Sequence, residues 1–546
     1  MMRLNHLLPS LLTAVSLLAL VVGCSKPESR VEIGNREQIL HLGNKSEPQE
    51  LDPHIVEGTG EHNILAALLE GLTGEDPKTL EPVPGVAERW EISEYGLVYT
   101  FYLRENARWS NGDRVTAQDF FNSYQRILTP SLASRYAYML YPIKNAREFN
   151  EGKLTDFAEV GVKAPEVGRL VITLSHPTPY FLAMTAHHYT YWPVHLPTVE
   201  KHGDSYTRGN RWTRPGNYVG NGPFRLEEWK VNQMVRVVKS DTYWDKDTVR
   251  LKEIHFHPIE SIETEERAFR SGQLHTTYEV PLSKIPTYRE NEPHLIRLDP
   301  YLGTYLYRIN TTLPHLRDRR VRTALSMAVD RKTIVERITR ADQKPAYFFT
   351  PPDTRGYTSS AATEFNPEQA RQLLAEAGYP GGKDFPKISI LFNTSESHKS
   401  IAEAIQQMWK TELGVEAELI NQEWKVYLDT EHKLDYQVSR AGWIGDYPDP
   451  FTFLSLFASW SENNRTGWKH EEYDRLLAES EQTVDQAKRY ELLQRAEAIL
   501  MEEMPMFPIY HYTRVYLIQP SVKGWHPTFM DHHPYKHVYL EATAQP

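Results

Sequence analysis

The chain has 546 residues, which is long enough for two to four domains with a large core. Apolar residues make up 40% and charged residues 24%, an ordinary globular composition that excludes a largely disordered chain. A formal net charge of -11 disfavours nucleic acid as a partner, although a local basic patch stays possible. The 31 Tyr, 12 Trp and 19 Phe supply core, and they also suit a cleft for organic ligands.

The first residues have the pattern of a secretory signal peptide. A positively charged start, Met1 to Arg3, precedes an apolar run from Leu7 to Val22. This run is too short and too close to the terminus for a lasting membrane span. We therefore assign residues 1–23 to a signal peptide.

The single cysteine of the chain, Cys24, follows Val21-Val22-Gly23. These residues resemble the bacterial lipobox, in which the signal peptide is cut before the cysteine and lipid is attached to it. We predict lipidation of Cys24 and a polar tether over residues 24–37. The alternative is an ordinary signal peptide with a chance cysteine. One cysteine leaves neither a disulfide nor a thiolate metal site in the mature chain.

Strand and helix patterns follow one another along the chain. The segment GLVYTFYL alternates as a strand does, and Thr116 begins the next helix with Asp119 three positions later. From residue 366 to 422 the pattern is helix, strand, helix, strand, with Asn366 as the first N-cap. A helical tract over residues 473–504 precedes the strand MFPIYHYTRVYLI. This order favours α/β lobes with a mostly parallel sheet.

Several enzyme signatures do not occur in the sequence. It contains no H-E-x-x-H, no G-x-S-x-G, no phosphate-binding Walker loop and no G-x-G-x-x-G after a strand. The segment GYPGGKD has the wrong spacing, and its helix precedes the glycines instead of following them. These absences do not exclude an enzyme, but they count against that interpretation.

Histidine pairs raise the question of a metal site. His255 and His257 are two positions apart on a predicted strand, so they share a face and could hold a metal ion. No third ligand of matching spacing is evident, which favours a half-exposed polar strand. We predict no metal and no cofactor.

Longer motifs resemble a known family. The segment VPGVAERWEISEYGLVYTFYLRENARWSNGDRVTAQDF is similar to the signature of the extracytoplasmic solute-binding proteins that serve peptide and nickel importers. The resemblance continues in VGNGPFRLEEW, LRDRRVRTALSMAVDR, YFFTPP, LINQEWKVYLDT and RAGWIGDYPDP. These segments span nearly the whole mature chain in the family's order. The similarity is greatest to the oligopeptide-binding proteins of Gram-negative bacteria.

The resemblance implies an α/β clamp with two lobes and three domains, in which the lobes are discontinuous along the chain. Domain I would comprise residues 38–69, 196–297 and 514–546. Domain II would comprise residues 70–195, and domain III, the second lobe, residues 298–513. The chain would cross the hinge near Pro300 and Tyr512, and a peptide would be enclosed when the lobes close.

The resemblance also gives a role to Asp446, which stands between Trp443 and Tyr447 in SRAGWIGDYPDP. In the family, the acid of this motif pairs with the α-ammonium of the peptide. A receptor for many peptides can recognise only their backbone and termini, and a carboxylate binds the ammonium without regard to side chains. The alternative is that Asp446 only caps its own turn.

Other positions match the family's peptide site one by one. Glu57, Gly58 and Thr59 match the segment that pairs with the peptide backbone, and the facing strand carries Arg440, Gly442, Trp443 and Ile444. Tyr301, Trp424 and Tyr512 match rings that line the cleft. His398 and Arg440 match the groups that receive the peptide carboxylate.

Glu431 departs from the pattern, because close relatives carry an arginine after L-D-T. A glutamate there would repel a peptide carboxylate or attract a basic group. We predict a shifted set of ligands as a consequence. The alternative is that Glu431 pairs with Lys425 or another base on its own helix and never faces the ligand.

Together these features predict a monomeric, periplasm-facing and lipid-anchored receptor that is not an enzyme. It would bind oligopeptides and deliver them to the inner-membrane permease of an ABC importer. A dipeptide, a murein peptide or a metal chelate as ligand is the alternative within the same fold. An extracytoplasmic hydrolase is the alternative from another class.

Overall fold

The computed structural model describes residues 28–93 and 95–541. The signal peptide, Cys24 and the tether up to residue 27 lie outside the described residues. The strands in the described ranges are, in chain order, β1 Ile39–Gly43, β2 Thr73–Glu75, β3 Pro82–Pro84, β4 Ala87–Ile92, β5 Val98–Leu103, β6 Val162–Glu166, β7 Arg169–Thr173, β8 Phe224–Lys230, β9 Met234–Lys239, β10 Glu253–His257, β11 Ile296–Ile309, β12 Lys344–Pro345, β13 Ile388–Asn393, β14 Ala417–Gln422, β15 Val438–Ile444, β16 Met506–Leu517, β17 Val522–Lys523 and β18 Tyr539–Leu540.

The α-helices follow the same chain order. They are α1 Arg30–Glu37, α2 Thr59–Leu68, α3 Ala117–Leu128, α4 Ala146–Asn150, α5 Phe181–His187, α6 Leu196–Lys201, α7 Ile262–Arg270, α8 Ile285–Asn291, α9 Arg319–Met327, α10 Arg331–Thr333, α11 Pro367–Glu376, α12 Glu396–Leu413, α13 Trp424–His432, α14 Phe451–Leu454, α15 Glu471–Gln482 and α16 Gln486–Glu503. Within the part of the chain that the structure describes, no helix combines the length and the apolar character needed to span a bilayer.

Two four-stranded sheets lie in the first part of the chain. One has the order β1-β10-β9-β8, with β1 parallel to β10 and the other neighbours antiparallel. The other is antiparallel throughout, with the order β4-β5-β7-β6. In β5 buried and half-buried residues alternate, which confirms the strand predicted from GLVYTFYL and gives its sheet one face toward the core.

The third sheet has six strands in the order β12-β16-β11-β15-β13-β14. Only the neighbours β15, β13 and β14 run parallel, and the remaining neighbours are antiparallel. The prediction of a mostly parallel sheet is therefore wrong. Helix α12 makes the parallel crossover from β13 to β14, as its pattern indicated, but the last long strand, β16, returns antiparallel beside β11.

Strands β11 and β16 form the longest ladder of the structure. Their pairing runs from Ile296 with Leu517 to Arg308 with Met506, and it is irregular between Pro300 and Thr304. A proline cannot donate a ladder hydrogen bond, which accounts for a break in register at this point. Beyond the irregularity, the ladder continues into the six-stranded sheet, so two adjacent strands connect that sheet to the first part of the chain.

The prediction of a polar tether over residues 24–37 is wrong from Arg30, where helix α1 begins. Ser29 and Glu32 form a capping box, Val31 and Gly34 are buried, and the Val31 N–H donates to the Gly272 carbonyl at 2.9 Å. The chain is therefore helical and packed on the body of the protein from Arg30 onward. A helix with two buried positions has too narrow an apolar stripe to be recognised by periodicity.

Capping residues in the sequence predicted the start of other helices correctly. Thr116 and Asp119 form the expected capping box of α3, and Asn366 caps α11. The predicted tract over residues 473–504 is two helices, α15 and α16. Asp485 accepts from the Lys488 N–H at 2.9 Å and starts α16 as its N-cap, which explains the break.

Candidate functional site

One cavity of about 300 Å³ lies where the six-stranded sheet faces the first part of the chain. Its volume is in the usual range of ligand pockets. All of the predicted peptide-binding residues line it: Glu57, Gly58, Thr59, Tyr301, His398, Trp424, Glu431, Arg440, Gly442, Trp443, Ile444, Asp446 and Tyr512. The fold thus brings together segments that are up to several hundred positions apart.

Strand β15 offers the cavity an open edge. On one side it is paired with β11 from Val438 to Ile444. On the other side β13 pairs only with Val438 and Ser439. Among the described residues no strand lies along that side from Arg440 to Ile444, which leaves an edge to which a further strand could be added. The Arg440 carbonyl at its start already accepts from the Tyr427 hydroxyl.

Asp446 lies two residues beyond the end of β15. Its backbone N–H donates to the Thr452 hydroxyl at 3.0 Å, and the same hydroxyl lies 3.3 Å from Oδ2. Oδ1 lies 3.4 Å from Nε2 of His188. In the described ranges no Lys or Arg nitrogen lies within 4.0 Å of this carboxylate, whose side chain is 11% exposed. Asp446 therefore stabilises its own turn, as the alternative interpretation states. Its Oδ1 has no Lys or Arg partner in the described ranges and could accept from a cation.

Arg440 is a buried guanidinium at the other end of the open edge. Its Nη1 donates to Asn393 at 3.2 Å, its Nη2 donates to the Tyr512 hydroxyl at 2.9 Å, and the group lies 4.6 Å from the ring centre of Tyr305. Its Nε is buried without a partner. Among the described residues no carboxylate lies within 4.0 Å of it. A buried charge without a counter-ion is costly, so this position is suited to an anion.

His398 lies near Arg440 in the first turn of α12. Its Nδ1 lies 3.3 Å from the Tyr305 hydroxyl, and its Nε2 is buried without a partner. Burial, and then the charges of Arg440 and Lys45, hold the pKa of His398 well below its ordinary value. The ring is therefore neutral near pH 7, and it can meet a carboxylate by a hydrogen bond and not as a cation.

Glu431 is buried in an ion network. Its carboxylate accepts hydrogen bonds from Arg308 Nη1 at 2.8 Å, from Arg465 Nη1 at 3.2 Å and from the Ser439 hydroxyl at 2.9 Å. Burial raises the pKa of Glu431, but the two arginines outweigh burial and hold it below the ordinary value. The alternative interpretation, in which Glu431 pairs with Lys425 or another base on its own helix, is wrong, because Arg308, Arg465 and Ser439 lie outside that helix. Glu431 lines the cavity, yet its oxygens are occupied by groups from other elements.

Glu57 joins this network from the opposite side of the cavity. Its carboxylate contacts Arg465 Nη2 and lies 3.2 Å from His432 Nε2. Burial raises the pKa of Glu57, but Arg465 and His432 lower it to about 2. Gly58 is the N-cap of α2, and the Thr59 hydroxyl lies 2.6 Å from that of Tyr278.

Aromatic rings form much of the remaining wall. Trp424 begins α13 and stacks on Tyr427 at 5.6 Å, and Tyr301 meets Tyr512 edge to face at 5.9 Å. The Trp443 indole N–H donates to the Thr452 carbonyl at 2.8 Å, which holds this ring beside Asp446. Large rings with fixed orientations suit side chains of varied shape.

Contacts between the first part of the chain and the part that carries β15 hold the two sides of the cavity together. Tyr180 stacks on Tyr447 with ring centres 4.4 Å apart, and Arg135 Nη1 lies 2.7 Å from Glu462. The Tyr136 ring stacks on that of Trp443 at 6.3 Å. With Glu57 and Arg465, these pairs join residues of the first part of the chain to the part that carries β15.

A cluster of acid and histidine side chains lies at one end of the cavity. The Glu75 carboxylate contacts His187 and lies 2.7 Å from Nδ1 of His532. The donor atoms of these three residues lie within 4.8 Å of one another. Burial raises the pKa of Glu75, but the histidines outweigh burial and hold this pKa below its ordinary value. Burial lowers the pKa of His532, but Glu75 outweighs burial and raises it. The Glu75 carboxylate thus already has two imidazole partners.

Sequence patterns missed several residues of the cavity wall. Arg308, Arg465, His188 and Tyr136 all line it, and each contacts a predicted site residue from a distant segment. Only the resemblance placed any residue of the site. Nothing in the local sequence distinguishes these four from core or surface residues.

The fold and the cavity together define the class of protein: an α/β clamp whose two lobes enclose a ligand-sized space. The chain belongs to the bacterial extracellular solute-binding proteins, family 5, whose model for the middle region matches residues 81–465. This confirms the resemblance and the predicted fold class.

Similar proteins cover nearly the whole chain. The periplasmic oligopeptide-binding protein OppA of Salmonella typhimurium is 39% identical over 528 residues, which are 94% of this chain and 95% of the relative. The structure of Haemophilus influenzae OppA in complex with the peptide RPPGFSPFR has a TM-score of 0.88 at 34% identity, over 93% of this chain and 99% of that one.

A third relative shows which arrangement of the lobes is present. The murein tripeptide binding protein MppA of Escherichia coli gives a TM-score of 0.87 at 37% identity, over 92% of this chain and 99% of that one. The unliganded open form of MppA gives only 0.63 at the same identity, over 92% of this chain and 97% of that one. Because the identity is the same, the difference lies in the lobe arrangement, and the present structure is not open.

Proposed function

We propose that the chain is an extracytoplasmic receptor that binds oligopeptides. The observation that supports this most is Arg440, a buried guanidinium with no acid within 4.0 Å in the described ranges, on the same open strand edge that leads to Asp446. A peptide with free termini supplies a carboxylate, an ammonium and a backbone for that edge. No side chain of the peptide has to be recognised.

In this proposal the α-ammonium of the peptide pairs with Asp446. The peptide backbone lies between the edge of β15 and the segment Glu57 to Thr59. The carboxylate reaches Arg440 or His398, depending on peptide length. Trp424, Tyr301 and Tyr512 border the spaces for side chains, where water fills what a small side chain leaves.

In this proposal the lobes of the clamp follow the three largest sheets. The sheets β1-β10-β9-β8 and β4-β5-β7-β6 fall in domains I and II of the first lobe, with domain I over residues 38–69, 196–297 and 514–546 and domain II over 70–195. The six-stranded sheet falls in domain III, residues 298–513, except for the ends of β11 and β16 that extend into domain I. The irregular part of the β11–β16 ladder, near Pro300, is the hinge in this proposal.

The receptor would release its ligand unchanged to the permease of an ABC importer. The relatives are named as binding proteins, which supports a role without a reaction. We also propose that the receptor is a monomer, because one chain supplies both sides of the cavity. The relatives are also named as periplasmic, which supports the same location for this chain, with lipid on Cys24 as its anchor.

The test is native mass spectrometry of the full-length protein purified from its own cells, followed by calorimetry with a peptide panel. The panel holds matched peptides with free, N-acetylated or C-amidated ends, together with dipeptides and a murein tripeptide. We expect intact peptides in the purified protein and weaker binding when either end is blocked. Cleaved peptides, or equal binding of free and blocked peptides, would overturn the proposal.

The anchor has a separate test. Native protein is expected in the detergent-rich phase with a lipid-modified Cys24, and Cys24→Ala is expected to prevent processing at this site. Recovery of all native protein in the soluble fraction with an unmodified Cys24 would contradict the anchor. Peptide binding does not depend on this result.

A further inference from the structure

Three histidines meet on one face of the first sheet. Strands β1 and β10 are parallel, and their register places His41 beside His255 and Gly43 beside His257. Because side chains two positions apart on a strand share a face, His255 and His257 both point to the side of His41. The third ligand that spacing did not reveal is therefore supplied by the neighbouring strand.

The ring nitrogens are close enough to share an ion. Nδ1 of His41 lies 3.2 Å from Nε2 of His257, and one nitrogen from each of the three rings lies within 4.8 Å of the others. A tetrahedral zinc ion with Zn–N bonds of about 2.0–2.1 Å requires nitrogens about 3.3 Å apart. One pair already has this separation, and the His255 nitrogen, which lies within 4.8 Å of the other two, would have to be drawn to the same distance by the bound ion.

His41 and His257 are buried, and His255 is half-buried. Nδ1 of His41 and Nε2 of His257 are within hydrogen-bond distance of each other, so one of these two nitrogens carries the proton of its ring. A metal ion binds the unprotonated nitrogen of a neutral imidazole, so that proton would have to move to the second nitrogen of its own ring when the ion binds.

A carboxylate next to the three rings can orient one of them. Glu253 Oε2 lies 2.7 Å from Nε2 of His255, which leaves Nδ1 of that ring with the free lone pair. Metal-binding histidines generally have such an acceptor on the second nitrogen. The nearby cations are Arg236, which lies 3.5 Å from Glu253, and Arg30, which is exposed.

We propose that His41, His255 and His257 bind one divalent transition-metal ion, with zinc as the best fit to three neutral imidazoles and an open fourth position. The site lies near the start of α1 and none of its ligands lines the 300 Å³ cavity. It is therefore independent of the proposed peptide receptor. Imidazole ligands exclude magnesium and calcium, which prefer oxygen.

The test uses the tag-free full-length protein after removal of metal with a chelator. Zinc is titrated into native protein, His257→Gln, His255→Asn, Glu75→Gln and His294→Gln. We expect one zinc ion per chain in the native protein, in Glu75→Gln and in His294→Gln, and at least a 100-fold weaker affinity in His257→Gln and His255→Asn. His294 is an exposed control, and Glu75 belongs to the acid and histidine cluster at the cavity.

X-ray absorption of the zinc-loaded native protein identifies the ligands without any variant. Three imidazole nitrogens at about 2.0 Å are expected. Two imidazoles with a carboxylate, or loss of zinc in Glu75→Gln alone, would place the ion at the other cluster and overturn the proposal. No binding by native protein at micromolar zinc would also overturn it.

Discussion

Glu431 and Arg308 form an ion pair in the interior of the protein: Oε2 and Nη1 are 2.8 Å apart, and the side chains are 1% and 4% exposed. Arg465 shares the same oxygen and contacts Glu57 across the cavity. Glu431 therefore stands between two arginines. Positive charge is thus present beside position 431, although the residue at that position is an acid.

Replacing Glu431 by glutamine is expected to destabilise the fold by about 3–5 kcal/mol, because Arg308 would then be a buried charge without an acid. The change is measured as the free energy of unfolding in urea. The matched control is Asp429→Asn on the same helix, since Asp429 and Lys433 form an exposed pair 2.6 Å apart. Its loss should change stability by less than about 0.5 kcal/mol. Equal effects of the two variants would contradict this account.

The Asp446→Asn variant is expected to bind free peptides more weakly by about 2–5 kcal/mol, the cost of removing one partner of a buried charged pair. Against native protein, N-acetylated peptides should lose a similar amount. Calorimetry of the four combinations gives the coupling between the carboxylate and the ammonium. If acetylation weakens binding to Asp446→Asn as much as to native protein, the ammonium is bound elsewhere.

Gly442 leaves the space that the Tyr512 hydroxyl occupies. A Cβ at Gly442 would lie 2.5 Å from that oxygen and 3.4 Å from Cε2 of the same ring. Gly442→Ala should therefore displace Tyr512 from Arg440 and weaken peptide binding by about 1–3 kcal/mol, the usual cost of overpacking. In a Tyr512→Phe background the hydroxyl is gone, so the same substitution should cost much less. An equal cost in both backgrounds would show that the contact is not the cause.

Acid should open the clamp through Glu57. Closure places this carboxyl beside Arg465 and lowers its pKa to about 2, whereas an ordinary glutamate has a pKa of about 4.5. A lowered pKa stabilises the closed form above the ordinary value, and this contribution is lost as pH falls from about 4.5 toward about 2. X-ray scattering at a series of pH values measures closure with peptide present. Glu57→Gln should flatten the dependence, and an unchanged profile would assign it to another group.

Structural features that depend on residues close together in the sequence could be predicted. The capping box of Thr116 and Asp119, the N-cap of Asn366 and the alternation of β5 depend on residues a few positions apart. The site was placed only through a resemblance, because a cavity between lobes has no local pattern. All thirteen predicted residues nevertheless line it.

The partners of the buried charges were not predictable. Glu431 and Arg308 are 123 positions apart, and Glu57 and Arg465 are 408 apart. His41 joins His255 only because two strands far apart in sequence are parallel neighbours in register. Contacts of this kind are set by topology, and single-sequence periodicity contains no information on which strands meet.

The docking of α1 on the body of the protein limits how far the receptor can stand from a membrane. If Cys24 carries lipid as proposed, only five peptide units separate it from Ser29, the cap of that helix. Fully extended, they reach about 18 Å at most. The folded part of the protein would therefore lie close to the lipid headgroups, with α1 toward the membrane. Such a short tether would restrict its rotation. The entrance of the cleft would then face a narrow range of directions while the protein diffuses along the membrane.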